Sequence, residues 1–214
     1  MRAVKVRNIC IGEGRPKICV PIVGSTVEVI RSATKAAAES YADLVEWRAD
    51  WFDSVFDIEA VKVVLAELRN SLGNMPLLFT IRSKGEGGEK EITYEQYEEL
   101  LVEVAGTQLA DMIDVEVFMN DTTADLIAEL HKAGTVVVGS NHDFFSTPEK
   151  EEIIRRLCEM QKRGADIPKI AVMPQEKTDV MTLLAATLEM ASQYAAGPIV
   201  TMSMSELGVS SRMC

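Results

Sequence analysis

Short runs rich in β-branched residues alternate along the chain with longer stretches of helical period. The runs 18–23, 44–50, 77–82, 112–117, 136–141, 167–173 and 199–204 predict seven strands. Between them 55–72, 94–105, 123–133, 148–163 and 179–196 predict helices. Each is followed by a glycine (Gly73, Gly106, Gly134, Gly164, Gly197) suited to closing a last helical turn. Ser25-Thr26-Val27-Glu28 and Thr93-Tyr94-Glu95-Gln96 read as capping boxes, and Thr147-Pro148 puts proline at a first helical position. Strand–helix units of about thirty residues predict parallel strands joined by helical crossovers. An N-terminal pair, 3–9 turning back through 11–14, predicts a hairpin or cap. No linker or composition shift divides the chain, so residues 1–214 are expected to form one domain.

The strands themselves separate a closed barrel from a doubly wound sheet. A parallel strand covered by helices on both faces reads as continuously apolar. Here Glu46, Arg48 and Asp50 alternate with Val45, Trp47 and Ala49, while Thr80 and Arg82 alternate with Phe79 and Ile81. Asp114 and Glu116 likewise alternate with Ile113, Val115 and Val117. Successive side chains point to opposite faces, so each strand has one apolar and one charged side. A (β/α)8 barrel of the TIM type satisfies this: the apolar side meets the helix ring and the charged side lines the interior. An antiparallel sheet with one solvated face is the competing reading, and the intervening helices oppose it. No G-x-G-x-x-G follows an early strand, which counts against a dinucleotide-binding fold.

Composition narrows the partners. The 214 residues carry a net charge of −11, the wrong sign for a protein that grips nucleic-acid phosphates. A negative total does not forbid an anionic substrate, because a few buried arginines set the local field. The four cysteines, Cys10, Cys19, Cys158 and Cys214, lack metal-ligand spacing and are expected to be free thiols in a reducing cytosol. No signal-peptide pattern or membrane-spanning run is evident, so the protein is expected to be cytoplasmic.

Following the inward parity of each strand gives an interior set of Glu46, Arg48, Arg82, Asp114, Glu116, Ser140, His142, Lys169, Met202 and Met204. Barrel active sites form at the C-terminal strand ends, where Arg82 and His142 fall. Lys169 lies in an otherwise apolar strand. It reads either as a buried amine poised to attack a carbonyl or as a strand-entrance lysine reaching solvent. His142 could move protons near neutral pH, though alone it reads rather as a satisfied structural histidine; His131 sits near a helix end, facing its terminal carbonyls. The 82–88 loop, with three glycines and Glu86, could close over a ligand or simply be solvated. Arg212 could fork onto a carboxylate, or be an ordinary surface charge. No histidine or cysteine lies at zinc-ligand spacing from His142.

Taken together, these segments resemble the type I 3-dehydroquinate dehydratases. The matching stretches are Asn8–Gly14, Glu46-Trp47-Arg48-Ala49-Asp50, Phe79–Ser83 with Glu86-Gly87-Gly88, and Met112–Glu116. Ser140–Phe144, Gly164–Pro174 and Thr201–Met204 complete them, in family order over essentially the whole chain. The resemblance implies conversion of 3-dehydroquinate to 3-dehydroshikimate, a step of the shikimate pathway toward chorismate and aromatic amino acids. It implies an imine between Lys169 and the substrate C3 ketone, His142 as proton carrier, and Glu86 orienting it. Arg212 would grip the substrate carboxylate; Glu46, Arg48 and Arg82 would hold ring hydroxyls; Met202 and Met204 would line the pocket. It also implies no metal or cofactor, and a homodimer.

Relatives in this family continue beyond the position of Arg212 into an eighth strand, its helix and a closing loop. The chain is therefore expected to form an incomplete, C-terminally truncated barrel of seven parallel strands plus the hairpin, with activity reduced or lost. The alternatives are a catalytically silent barrel acting only as a subunit or fragment, another Schiff-base barrel lyase or aldolase, and a barrel completed by a partner chain.

Overall fold

A computed structural model of the chain describes residues 2–212. Its centre is a curled parallel sheet of seven strands: β3 (Cys19–Ile22), β4 (Leu44–Arg48), β5 (Leu77–Thr80), β6 (Met112–Glu116), β7 (Val136–Asp143), β8 (Ile167–Val172) and β9 (Val200–Ser203). The strands pair in strict chain order, and among the described residues β3 and β9 do not pair with each other. The sheet is thus an incomplete barrel, as the seven predicted strands required.

The crossovers are α1 (Val27–Ala38), α2 (Ile58–Leu72), α3 (Tyr94–Thr107), α4 (Thr123–Lys132), α5 (Lys150–Lys162) and α6 (Lys177–Glu189). Their apolar faces meet the outward side chains of the strands in one large core, anchored by Trp47, Phe79, Ile113, Leu65, Leu101 and Leu157. Trp47 meets Phe79 edge-on, with ring centroids 5.5 Å apart. This packing fixes which side of each strand faces inward.

An antiparallel hairpin, β1 (Val4–Val6) with β2 (Ile9–Ile11), lies across the N-terminal ends of the barrel strands. Val6 packs there with Leu44, Leu78, Met112, Val138 and Ile167 in a second, smaller apolar cluster. The hairpin is shorter than predicted because the chain already turns at Arg7, whose φ is 49°.

Several expected helix boundaries move. Thr26, one residue past the predicted cap, is the N-cap of α1 and accepts the Val29 N–H. The Ser25 carbonyl instead accepts the Asp53 N–H at 3.0 Å, a loop-to-loop contact. Pro148 does not open α5; Glu149 is its N-cap, and the Thr147 hydroxyl donates to the Met173 carbonyl 3.2 Å away. Gly106 lies inside α3, and Gln108 takes the left-handed position at that end. α6 ends before Gly197, passing into a π turn over Met190–Tyr194. The capping box at Thr93 and Gln96 forms as read, and Gly164, with φ 104°, ends α5 at a backbone conformation that a side chain would strain. His131 does not face helix carbonyls; its Nε2 lies 2.9 Å from Asp166 Oδ2.

Candidate active site

The polar inward faces of β4 to β8 converge on one buried network. Arg82, at the end of β5, is its hub and is only 3% exposed. Its guanidinium donates to Asp114 Oδ1 at 2.8 Å, Glu116 Oε1 at 3.0 Å and Ser140 Oγ at 3.0 Å. Burial lowers the pKa of this guanidinium, but Asp114, Glu116 and Glu86 outweigh that and raise it, so the charge is secure. Glu116 also accepts the Ser83 N–H and hydroxyl at 2.8 and 2.6 Å. An ion cluster this enclosed survives only because nearly every oxygen has a donor.

Lys169, on β8, extends into the same interior. Its side chain is 13% exposed, and its Nζ lies 3.6 Å from Asp114 Oδ2 and 3.7 Å from Glu46 Oε1. The snorkelling alternative fails on that burial: the amine faces two carboxylates rather than bulk water. Glu46 Oε1 is itself fixed by the Thr80 hydroxyl at 2.8 Å. Arg48 forks onto Asp50 through two hydrogen bonds of 2.8 Å. Asp50, fully buried, also accepts the Arg82 and Glu89 backbone N–H groups, which ties the 82–90 loop to β4.

That loop is folded rather than merely solvated. Lys84 and Gly88 N–H groups donate to the Lys90 and Ser83 carbonyls, and a Cβ on Gly88 would sit 1.9 Å from the Arg82 carbonyl oxygen. The close turn delivers Glu86 to His142. Glu86 Oε2 lies 2.9 Å from His142 Nδ1 and accepts the His142 backbone N–H at 3.0 Å, while Asn141 Nδ2 donates to Oε1. With Glu86 ionised, this arrangement puts a hydrogen on Nδ1 and leaves the Nε2 lone pair for an incoming proton. Burial, then the charges of Arg82 and Lys169, pushes the His142 pKa down to about 2, so the ring is neutral across the working range. Burial and neighbouring Glu116 push the Glu86 carboxyl up.

Met202 is in register with Ala171, two residues beyond Lys169 on the same inward face, and Met204 follows at the same parity. Arg212 is exposed, in a 3-10 turn over Val209–Arg212, and makes no ion pair with the carboxylates around Lys169 among the described residues. Inward parity had flagged Asp114, Glu116 and Ser140 without giving them a task. Asp50 was seen as part of the charged side of its strand but was given no task, and Asn141 escaped notice because its parity gave no signal separating it from ordinary polar residues. A shallow hollow between α1 and α2, lined by Glu28, Arg31, Ser32 and Lys35, lies on the outer helix surface and gathers no comparable cluster.

Residues 18–214 match the family model for type I 3-dehydroquinase. A 3-dehydroquinate dehydratase of Clostridioides difficile is 53% identical over 214 residues, covering the whole chain and 84% of the relative. One from Clostridium botulinum is 52% identical over 213 residues, covering 99% of this chain and 84% of its own length. Among solved structures, a type I 3-dehydroquinate dehydratase from Clostridium difficile with covalent modified comenic acid superposes with a TM-score of 0.98, covering 100% of this chain and 85% of that one. A 3-dehydroquinate dehydratase from Enterococcus faecalis, 48% identical, gives 0.95, covering 98% and 88%. The chain belongs to the type I 3-dehydroquinase family.

Proposed function

We propose that the chain dehydrates 3-dehydroquinate to 3-dehydroshikimate through an imine on Lys169. The observation that carries the reading is the Lys169 amine buried among carboxylates on β8, which pairs with the strand bearing a neutral His142. Unprotonated, that amine attacks the C3 ketone; with one proton taken up from solvent, which the final hydrolysis returns, water leaves and a protonated imine forms. The imine draws electrons from the adjacent C2–H bond, so His142 Nε2 can remove that proton. The resulting enamine expels the C1 hydroxyl, which leaves as water with the proton His142 carries. Water then hydrolyses the product imine and frees Lys169. The lysine supplies the electrophile, so the scheme requires neither metal nor cofactor.

Glu86 holds the imidazole in the needed tautomer, a positioning role. Glu46, Arg48 and Arg82 are proposed to hold the ring hydroxyls, Arg212 the carboxylate, and Met202 and Met204 the apolar flank of the ring. Arg82 reaches such a hydroxyl only by loosening its hold on Asp114, Glu116, Ser140 or, 3.5 Å away, Glu86. Residues 1–214 are proposed to act as one domain, in a cytoplasmic homodimer. No helix among the described residues is long and apolar enough to cross a membrane.

Incubation with 3-dehydroquinate and borohydride, followed by peptide mapping, tests the scheme. The expected result is a reduced adduct on Lys169 that is absent from Lys169→Ala. A folded protein left unmodified at Lys169 overturns it.

A further inference from the structure

Lys169 faces two carboxylates at nearly equal distance, and their surroundings differ. Glu46 Oε1, at 3.7 Å, already accepts the Thr80 hydroxyl, and its side chain retains 15% exposure. Asp114 is completely enclosed. Its Oδ1 takes hydrogen bonds from Arg82 and from Ser140, the latter at 2.6 Å. Its Oδ2 is buried without a hydrogen-bond partner, and the Lys169 Nζ stands 3.6 Å from it. A buried carboxylate oxygen left with unused lone pairs is costly, and native structures retain such a group only where something else uses it.

We propose that Asp114 is the counter-ion of the protonated Lys169 imine, the group whose charge keeps that nitrogen cationic while the C2 proton is removed. The inference rests on the Schiff-base reading above and assigns the anion on which its central intermediate depends. An imine withdraws electrons effectively only when protonated, and in an enclosed site a cation needs an anion at fixed, short range. Screening by water weakens Glu46 in this role; Asp114 has none.

Arg82 lets one carboxylate serve both stages. The free amine must be neutral to attack, so the carboxylate cannot depend on Lys169 for its own charge. Burial raises the Asp114 pKa, yet Arg82, Lys169, His142 and the Ser140 hydrogen bond together bring it below the ordinary carboxylate value. Arg82, named first among these opposing influences, remains charged throughout. The hydrogen bonds that Arg82 and Ser140 give to Oδ1 favour the ionised carboxylate whichever state Lys169 is in, and Oδ2 is left to pair with the nitrogen once it becomes cationic.

The other charged or titratable groups facing the lysine from neighbouring strands are Cys19 on β3, Glu46 and Arg48 on β4, Arg82 at the end of β5, Glu116 on β6 and His142 on β7. Desolvation and then Glu46 push the Cys19 thiol up to about 12, so it carries no charge. His142 is neutral. Arg48 and Glu116 are matched by Asp50 and Arg82.

The test is the pH dependence of trapping by cyanoborohydride, which reduces protonated imines. Wild type, Asp114→Asn and Glu46→Gln are each incubated with 3-dehydroquinate across the alkaline range, and the reduced adduct is quantified by intact mass. Asp114→Asn keeps the side-chain shape and an oxygen for Arg82 and Ser140 but removes the charge. Its alkaline limb is expected to fall by one pH unit or more, about a tenfold loss of protonated imine above the limb. Glu46→Gln is expected to move the limb by a clearly smaller amount. A purely structural role for Asp114 would lower melting temperature and leave the limb in place. An unmoved limb in a folded Asp114→Asn variant overturns the proposal while leaving the Schiff base intact. Absence of any wild-type adduct overturns the Schiff-base reading and this inference together. Should Asp114→Asn not fold, Glu46→Gln decides: a shift of a full unit assigns the counter-ion to Glu46 and overturns Asp114, and a small shift supports it.

Discussion

Glu86 and His142 form a pair in which burial acts on both partners in opposite senses. It removes the charge from the imidazole and pushes the carboxyl up to about 8. An unfolded glutamic acid titrates near ~4.3, so through the window between that value and about 8 the folded protein holds a proton the unfolded chain has lost. Stability contributed by the protonated Glu86 is therefore complete in acid and declines as pH rises through the window. Glu86→Gln has no such proton to lose. The melting temperature of this variant minus that of wild type is expected to grow by several degrees between pH 5 and about 8, then level off. The contribution of His142 runs the other way and is largely common to both proteins. A difference that stays flat across this range would show that Glu86 is not held against ionisation.

At the scale of single elements, β7 carries the site more tightly than the others. It bears Ser140, Asn141 and His142, and its Gly139 faces outward against α5 and β6 neighbours. A Cβ there would stand 2.5 Å from the Ala165 Cβ and 2.9 Å from Val117 Cγ2. Gly139→Ala must push β7 away from its crossover, and is expected to cost about 1–3 kcal/mol in denaturant unfolding. An unchanged unfolding midpoint would show that the strand has slack. The same elements show how much the sequence disclosed. Charged residues at alternate positions of β4, β5 and β6 betrayed an enclosed polar interior, because only a barrel gives parallel strands such a face. Lys169 and His142 were visible as outliers on otherwise apolar or ordinary strands. Burial of Lys169 was not, since it depends on where Asp114 and Glu46 sit across the interior. Local signals failed where distant contacts outweighed them. Thr147 gives its hydroxyl to Met173 instead of capping α5, and Gln108 rather than Gly106 takes the left-handed turn that ends α3.

In the whole molecule, each barrel strand pairs with the strand one crossover away in the chain, from β3 through β9. Such contacts close short loops and accumulate stepwise. The N-terminal hairpin is the exception. Its Val6 side chain packs with residues from β4 to β8, and the Arg2 N–H donates to the Ala196 carbonyl at 2.8 Å, beyond the end of α6. The floor of the barrel therefore consists of a segment synthesised before the strands it rests on, a surface finished much later. During translation the hairpin must wait without its binding platform, and in refolding it is expected to dock last. Pulsed hydrogen exchange should find the amides that pair β1 with β2 gaining protection after those of β6 and β7. Equal or earlier protection would mean that the hairpin is stable by itself. Late docking makes the first dozen residues a latch whose closure reports that the strands above it have assembled.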